Sequence, residues 1–131
     1  MIREAYQSDT EAMVSLLKTC NLYNPLLDYS EWSHPTLVYE IDGKVIGLCQ
    51  FILAKPYAYF SEIAIHPDYR RFGYGKELMA EMEEIMRLNG IKAWGGFIHE
   101  DNPSNLAHHG AALMGRGYAY MKVIEVETDV A

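Results

Sequence analysis

The chain is short of cysteine, short of basic residues and free of long apolar runs. Only Cys20 and Cys49 occur in 131 residues, with no C-x-x-C pair and no Cys/His quartet. A structural zinc site is therefore not expected, and no metal is assigned. Both thiols read as buried side chains in a reducing compartment. Eleven Lys and Arg stand against eighteen Asp and Glu, a formal net charge of −7. Generic nucleic-acid binding needs a basic footprint, which this balance denies. No uncharged run nears the ~20 residues of a membrane span. Met1-Ile2-Arg3-Glu4 lacks the apolar stretch of a signal peptide. The expectation is a soluble, cytoplasmic protein with no membrane or nucleic-acid partner.

What is present suits one folded domain over residues 1–131. Half of the residues are apolar, and a chain of this length buries a real core. Ile2 to Tyr6 reads as a first strand. Ser8 stands three residues before Glu11, a capping-box spacing. Met13, Leu16, Leu17 and Cys20 then share one helical face, so a helix is expected from about Thr10 to Cys20. Asn21 to Pro35 is irregular, with room for a short helix over Leu26 to Trp32. Thr36 to Ile41 and Lys44 to Leu53 read as an antiparallel pair around the Asp42-Gly43 turn. After Lys55-Pro56, Tyr57 to Ile65 is rich in aromatic and β-branched residues and reads as a strand.

A second long helix begins near Gly75 and stops at Asn89-Gly90. Ile91 to His99 reads as a strand weakened by Gly95-Gly96. Asn102-Pro103 is a helix start, and that helix is expected to end at Gly115. Tyr118 to Val126 reads as the last strand. The fold class expected is α/β (α+β): a mixed, mostly antiparallel central sheet flanked by helices.

One stretch carries chemistry. After His66-Pro67-Asp68-Tyr69 comes Arg70-Arg71-Phe72-Gly73-Tyr74-Gly75-Lys76. Here a strand ends, a glycine-containing basic loop follows and a helix starts. Helix N-termini expose unpaired N–H groups and a partial positive charge. Glycine lets a backbone approach a ligand closely, so successive amides cradle phosphate. Three of the eleven basic residues fall in these seven positions. A Walker loop is excluded because Glu77 follows Lys76. The dinucleotide fingerprint fails because Leu78 stands at its third glycine. Arg-x-x-Gly-x-Gly remains, which as a bare pattern also describes an ordinary Gly-rich turn with a solvated basic flank.

The run from Ile63 through Met79 resembles the acyl-CoA-binding motif of the GNAT superfamily of N-acetyltransferases. Strand, proline, Tyr-Arg, the R-x-x-G-x-G loop and the apolar helix positions occur in order. The resemblance implies that acetyl-CoA is the cosubstrate. It implies that backbone amides of Arg71, Phe72, Gly73, Tyr74, Gly75 and Lys76 hold the CoA pyrophosphate, with Arg70 at the start of the loop. Pantetheine would lie like an added strand along Ile63, Ala64 and Ile65. An N–H near Ile65 would polarise the thioester carbonyl. A primary amine would then attack the thioester directly in a ternary complex.

Proton handling is less well marked. Glu62, on the strand that would present the thioester, is the candidate base, or else an exposed strand charge. Many family members carry a tyrosine acid four residues before a Gly-aromatic pair. Here Leu113 occupies that place, before Gly117-Tyr118. Tyr118, Tyr120 and His109 are candidates by neighbourhood, though Tyr118 matches an aromatic that the family usually buries, which leaves His109 and Tyr120. His109 qualifies because an imidazole titrates near neutral pH. Asn105 is the expected pantetheine contact, since Asn102 already serves as a helix cap. The absent phenol keeps open a second function class, a CoA-binding regulatory or interaction module without turnover. The acidic balance suits a cationic amine and does not choose among them, nor between acetyl and longer acyl groups. A homodimer is an expectation that no pattern in the sequence specifies.

Overall fold

The computed structural model describes residues 1–25, 35–97, 112–113 and 119–123. Its elements are β1 (Ile2–Glu4), α1 (Thr10–Thr19), β2 (Thr36–Ile41), β3 (Lys44–Ala54), β4 (Tyr57–Ile65), α2 (Tyr74–Leu88), β5 (Ala93–Phe97), β6 (Ala112–Leu113) and β7 (Ala119–Val123). Short 3-10 turns cover Gln7–Asp9 and Pro67–Tyr69. The chain divides into two compact units. The first is Met1–Phe51 with Glu62–Met82, and the second is Ile52–Ser61 with Glu83–Ala131.

In the first unit the strands lie in the order β1-β2-β3-β4. β1 pairs antiparallel with β2, and β2 with β3. Asp42 and Gly43, at φ of +50° and +76°, form the turn between β2 and β3. Ile46, Gly47, Leu48 and Cys49 are all buried in sequence, so β3 is covered on both faces. On one face Leu48, Val38 and Ala64 pack with Met13, Leu16 and Leu17 of α1. On the other, the Cys49 thiol meets the Met82 sulfur of α2 at 3.8 Å. The mixed, mostly antiparallel sheet with flanking helices is thus the observed architecture.

Three expectations change here. β1 is shorter than expected because the chain turns at Tyr6. The Tyr6 amide donates to Asp9 Oδ2 at 2.6 Å, and Arg3 grips the same carboxylate at 2.8 and 3.0 Å. That guanidinium holds the Asp9 carboxyl below its ordinary range. Asp9, not the Ser8–Glu11 pair, therefore organises the start of α1. Of the two thiols, only Cys49 is fully buried, and burial pushes it up to about 12. Cys20 is half-buried at the C-terminal end of α1.

Gly47 of β3 is crowded by Leu78 of α2 and by Ile65 of β4. A Cβ there would lie 2.7 Å from Ile65 Cδ1, 3.2 Å from Leu78 Cδ1 and 3.4 Å from the Ala64 carbonyl oxygen. The two nearest atoms are terminal methyls, which yield by side-chain rotation. Gly47→Ala is therefore expected to destabilise by about 1 kcal/mol. A thermal melt checks this, and an unchanged melting temperature would show the packing to be slack.

In the second unit β4 pairs parallel with β5 from Tyr57↔Ala93 to Phe60↔Gly96. β5 pairs antiparallel with β7, and β7 with β6. Phe60 and Trp94 pack at 5.9 Å between ring centroids, and Trp94 Nε1 donates to Glu83 at 3.2 Å. The helix expected to run to Gly115 is corrected at its end: Ala112 and Leu113 are a strand, opposite Met121 and Tyr120. Two residues already paired in a ladder cannot also continue a helix. β5 begins at Ala93, two residues later than the expected Ile91. Among the described residues, no helix is long and apolar enough to cross a membrane.

Candidate functional site

The site is built where β4 leaves the sheet of the first unit. The His66 amide still donates to Ile46 of β3, at 2.8 Å. By strand alternation, Ile65 then turns its backbone groups to the opposite edge. Its carbonyl is taken there by the Cys20 thiol at 3.4 Å and by Arg70 Nε at 3.0 Å. Arg70 also reaches the Cys20 sulfur at 3.6 Å. Arg70, expected at the start of the loop, folds its side chain back to brace the strand end.

Proline and aspartate then make the tight turn over Pro67–Tyr69, with the Asp68 amide donating to His66 Nδ1 at 3.1 Å. The loop after it is unusual. Arg71 has φ of +71° and Gly73 of +85°. The first is strained for a residue with a side chain, the second natural for glycine. Left-handed residues spaced this way gather successive amides into an anion-binding concavity. Nothing lies within 4 Å of where a Cβ on Gly73 would stand. Glycine is therefore demanded there by φ and not by crowding. α2 follows at once. Within α2 and its approach, the Glu77 amide is the first to find a backbone acceptor, Gly73 O at 3.0 Å. The amides just before it are those that a helix start leaves unpaired. Arg71, Phe72 and Lys76 are exposed around them.

Glu62 sits on β4 ahead of this loop, half-buried. Burial pushes its carboxyl up to about 7, against a smaller opposing effect from the Ile63 amide, which donates to it. A carboxylate in that range takes and gives protons near neutrality. Ile63, Ala64 and Ile65 continue β4 past Phe60, the last residue paired with β5.

Of the other expected site residues, Asn105 and His109 lie outside the described residues. Tyr120 is placed on β7, opposite Gly96 of β5 and Leu113 of β6. Sequence reasoning missed Cys20 and Tyr39. The nearby Glu77 carboxylate and burial push the Tyr39 phenol up to about 12, and its ring lies 4.7 Å from that of Tyr74. Only Gly47, a glycine inside a strand, carried a signal of close approach beforehand.

Comparison with known proteins agrees with this fold. The Acetyltransferase (GNAT) family profile matches residues 2–113. An acetyltransferase of Yersinia enterocolitica is 26% identical over 117 residues, 77% of each chain. The ribosomal-protein-S18-alanine N-acetyltransferase of Escherichia coli superposes with a TM-score of 0.80 at 15% identity, over 98% of this chain and 97% of that one. The PaiA N-acetyltransferase of Thermoplasma acidophilum, solved with coenzyme A, gives 0.76 at 16%, over 95% and 98%. A match across the whole strand–loop–helix region and most of the sheet leaves one assignment: the chain belongs to the acetyltransferase (GNAT) family.

Proposed function

We propose that this acetyltransferase moves an acetyl group from acetyl-CoA to a primary amine by direct attack within a ternary complex, as one cytoplasmic catalytic domain. The observation that carries the reading is the run of amides from Arg71 to Lys76, set between two left-handed residues and the start of α2. These residues fit a pyrophosphate. Their N–H groups, the exposed Arg71 and Lys76 and the open space at Gly73 make a concavity for an anion. The cosubstrate supplies an acyl group already activated as a thioester.

The chain's own residues do the rest. Arg70 fixes the Ile65 carbonyl, which leaves the Ile65 N–H to donate to a developing oxyanion. Ile63 and Ala64 extend the strand along which the pantetheine arm would lie. Glu62 takes the proton from the substrate ammonium. Asn105 is carried as the pantetheine contact, and His109 and Tyr120 as donors to the departing thiolate. The acidic surface favours cationic amines.

Calorimetry with CoA, then thiol release from acetyl-CoA across polyamines, an aminoglycoside, lysine and peptide amino termini, tests this. Micromolar CoA binding and release with at least one amine are expected. No binding at millimolar CoA would overturn the reading. Binding without release from any amine would favour a CoA-binding module, which Leu113 at the expected phenol position also suits.

A further inference from the structure

We infer that Phe72 is a specificity-determining residue for the acyl donor. Its ring stacks on the nucleobase of acetyl-CoA, so the site favours the nucleotide-bearing thioester over one carried on phosphopantetheine alone. The inference rests on the acetyl-CoA reading of the loop. Backbone amides that cradle a phosphate accept any phosphopantetheine thioester. They read nothing of the nucleoside beyond it. Telling the two donors apart takes a further group that touches the base.

The structure sets an aromatic ring at that place. Phe72 lies between the left-handed residues Arg71 and Gly73, at φ of +71° and +85°. Its amide therefore belongs to the run that a phosphate takes. Its side chain stands outside that run, and the residue is 67% exposed. A large apolar side chain left in water between Arg71 and Lys76 forgoes the stabilisation that burial gives. The ring is nevertheless held in place. It lies 5.8 Å from the Tyr74 ring, tilted by 32°. Tyr74 in turn lies 4.7 Å from the Tyr39 ring of β2. Three rings thus tie the loop to the start of α2 and to the sheet, all inside the first unit. A ring already braced on one side loses little side-chain freedom when a ligand covers the other. Adenosine is joined to the pyrophosphate through a single ribose, so its base lies within reach of a side chain beside the phosphate. A base offers that ring a flat π-face. The exposed Arg71 guanidinium, next in the chain, suits the phosphate on the same ribose.

Calorimetric titration into the wild type, Phe72→Ala and Phe72→Trp tests this. The probes are CoA, 4′-phosphopantetheine and 3′,5′-adenosine bisphosphate, the weaker two by displacement of CoA. Thermal melts run alongside. Phe72→Ala should melt nearly as the wild type does, because the ring it removes is mostly exposed. It is expected to weaken CoA about tenfold, the scale of one stacked base. The bisphosphate, which keeps the base and lacks the arm, should lose the same factor. Phosphopantetheine, which lacks the base, should lose nothing. Phe72→Trp keeps a stacking face and should bind CoA as the wild type does. Its added indole emission should be quenched by CoA and by the bisphosphate, and not by phosphopantetheine. Unchanged CoA affinity in Phe72→Ala, or a loss for phosphopantetheine as large as that for CoA, would overturn the inference while the CoA reading stands. Absence of CoA binding by the wild type would overturn both.

Discussion

Glu62→Gln is expected to lower kcat by about 10²- to 10⁴-fold and, above pH 7, to raise the melting temperature. The two effects share one cause. The half-buried Glu62 carboxyl is pushed from 4.5 to about 7 by desolvation. The folded state therefore binds this proton more tightly than the unfolded chain does. Stability linked to Glu62 is fully present below about pH 4.5 and is lost as pH rises through about 7. Above that, the folded protein carries a carboxylate short of water. Glutamine keeps the shape and never ionises. At pH 8 the variant should be more stable by on the order of 2 kcal/mol, and at pH 4 the two melts should converge. The wild-type rate should climb with pH through about 7, as the base loses its proton, and the residual rate of the variant should lack that step. Melts at pH 4 and 8 with a pH–rate profile check this. A variant that is less stable at pH 8, or equally active, would remove Glu62 from the role of base.

The second large effect is on cosubstrate affinity. Gly73→Ala should weaken CoA binding by about 10- to 100-fold, the loss of one or two amide contacts to a charged ligand. A Cβ at φ of +85° meets no neighbour. The cost is conformational, about 1–2 kcal/mol, and the loop relieves it by rotating the amides away. Arg71→Gly is the informative contrast. It relieves the strain of a side chain at φ of +71°, so stability should rise by about 1 kcal/mol. It also removes a cation beside the amides, so CoA should still bind more weakly. Opposite signs in the melts and the same sign in calorimetry would separate strain from recognition. If both variants bound CoA as the wild type does, the loop would not be the phosphate site.

Elements with local punctuation were legible in the sequence. Asp42-Gly43 specified its turn, because only residues that tolerate positive φ close it. Asn89-Gly90 ended α2 after Leu88 as expected. The expected start near Gly75 and the observed start at Tyr74 differ by one residue. Ser8 and Glu11 misled because their spacing is local while the winning interaction is not. Asp9 is held by Arg3, which also bonds Glu40 of β2. Ala112 and Leu113 misled because helix-forming residues joined a ladder whose other strand lies further along the chain.

The sequence by itself determined the strand–loop–helix order, the basic glycine loop with no Walker or dinucleotide pattern, and the family resemblance. Those signals are short, and backbone sterics and unpaired amides make them nearly independent of context. Tertiary structure alone decided that Arg70 turns back to Ile65 and Cys20, fifty residues away from the latter. It also decided that Glu62 is desolvated enough to titrate near neutrality. Burial and partners depend on which distant segments pack together, and no spacing along a chain encodes that. The acid excess that is plain in the composition therefore says little by itself. It does not show that one of those carboxylates, Glu62, is half-buried and pushed up to about 7.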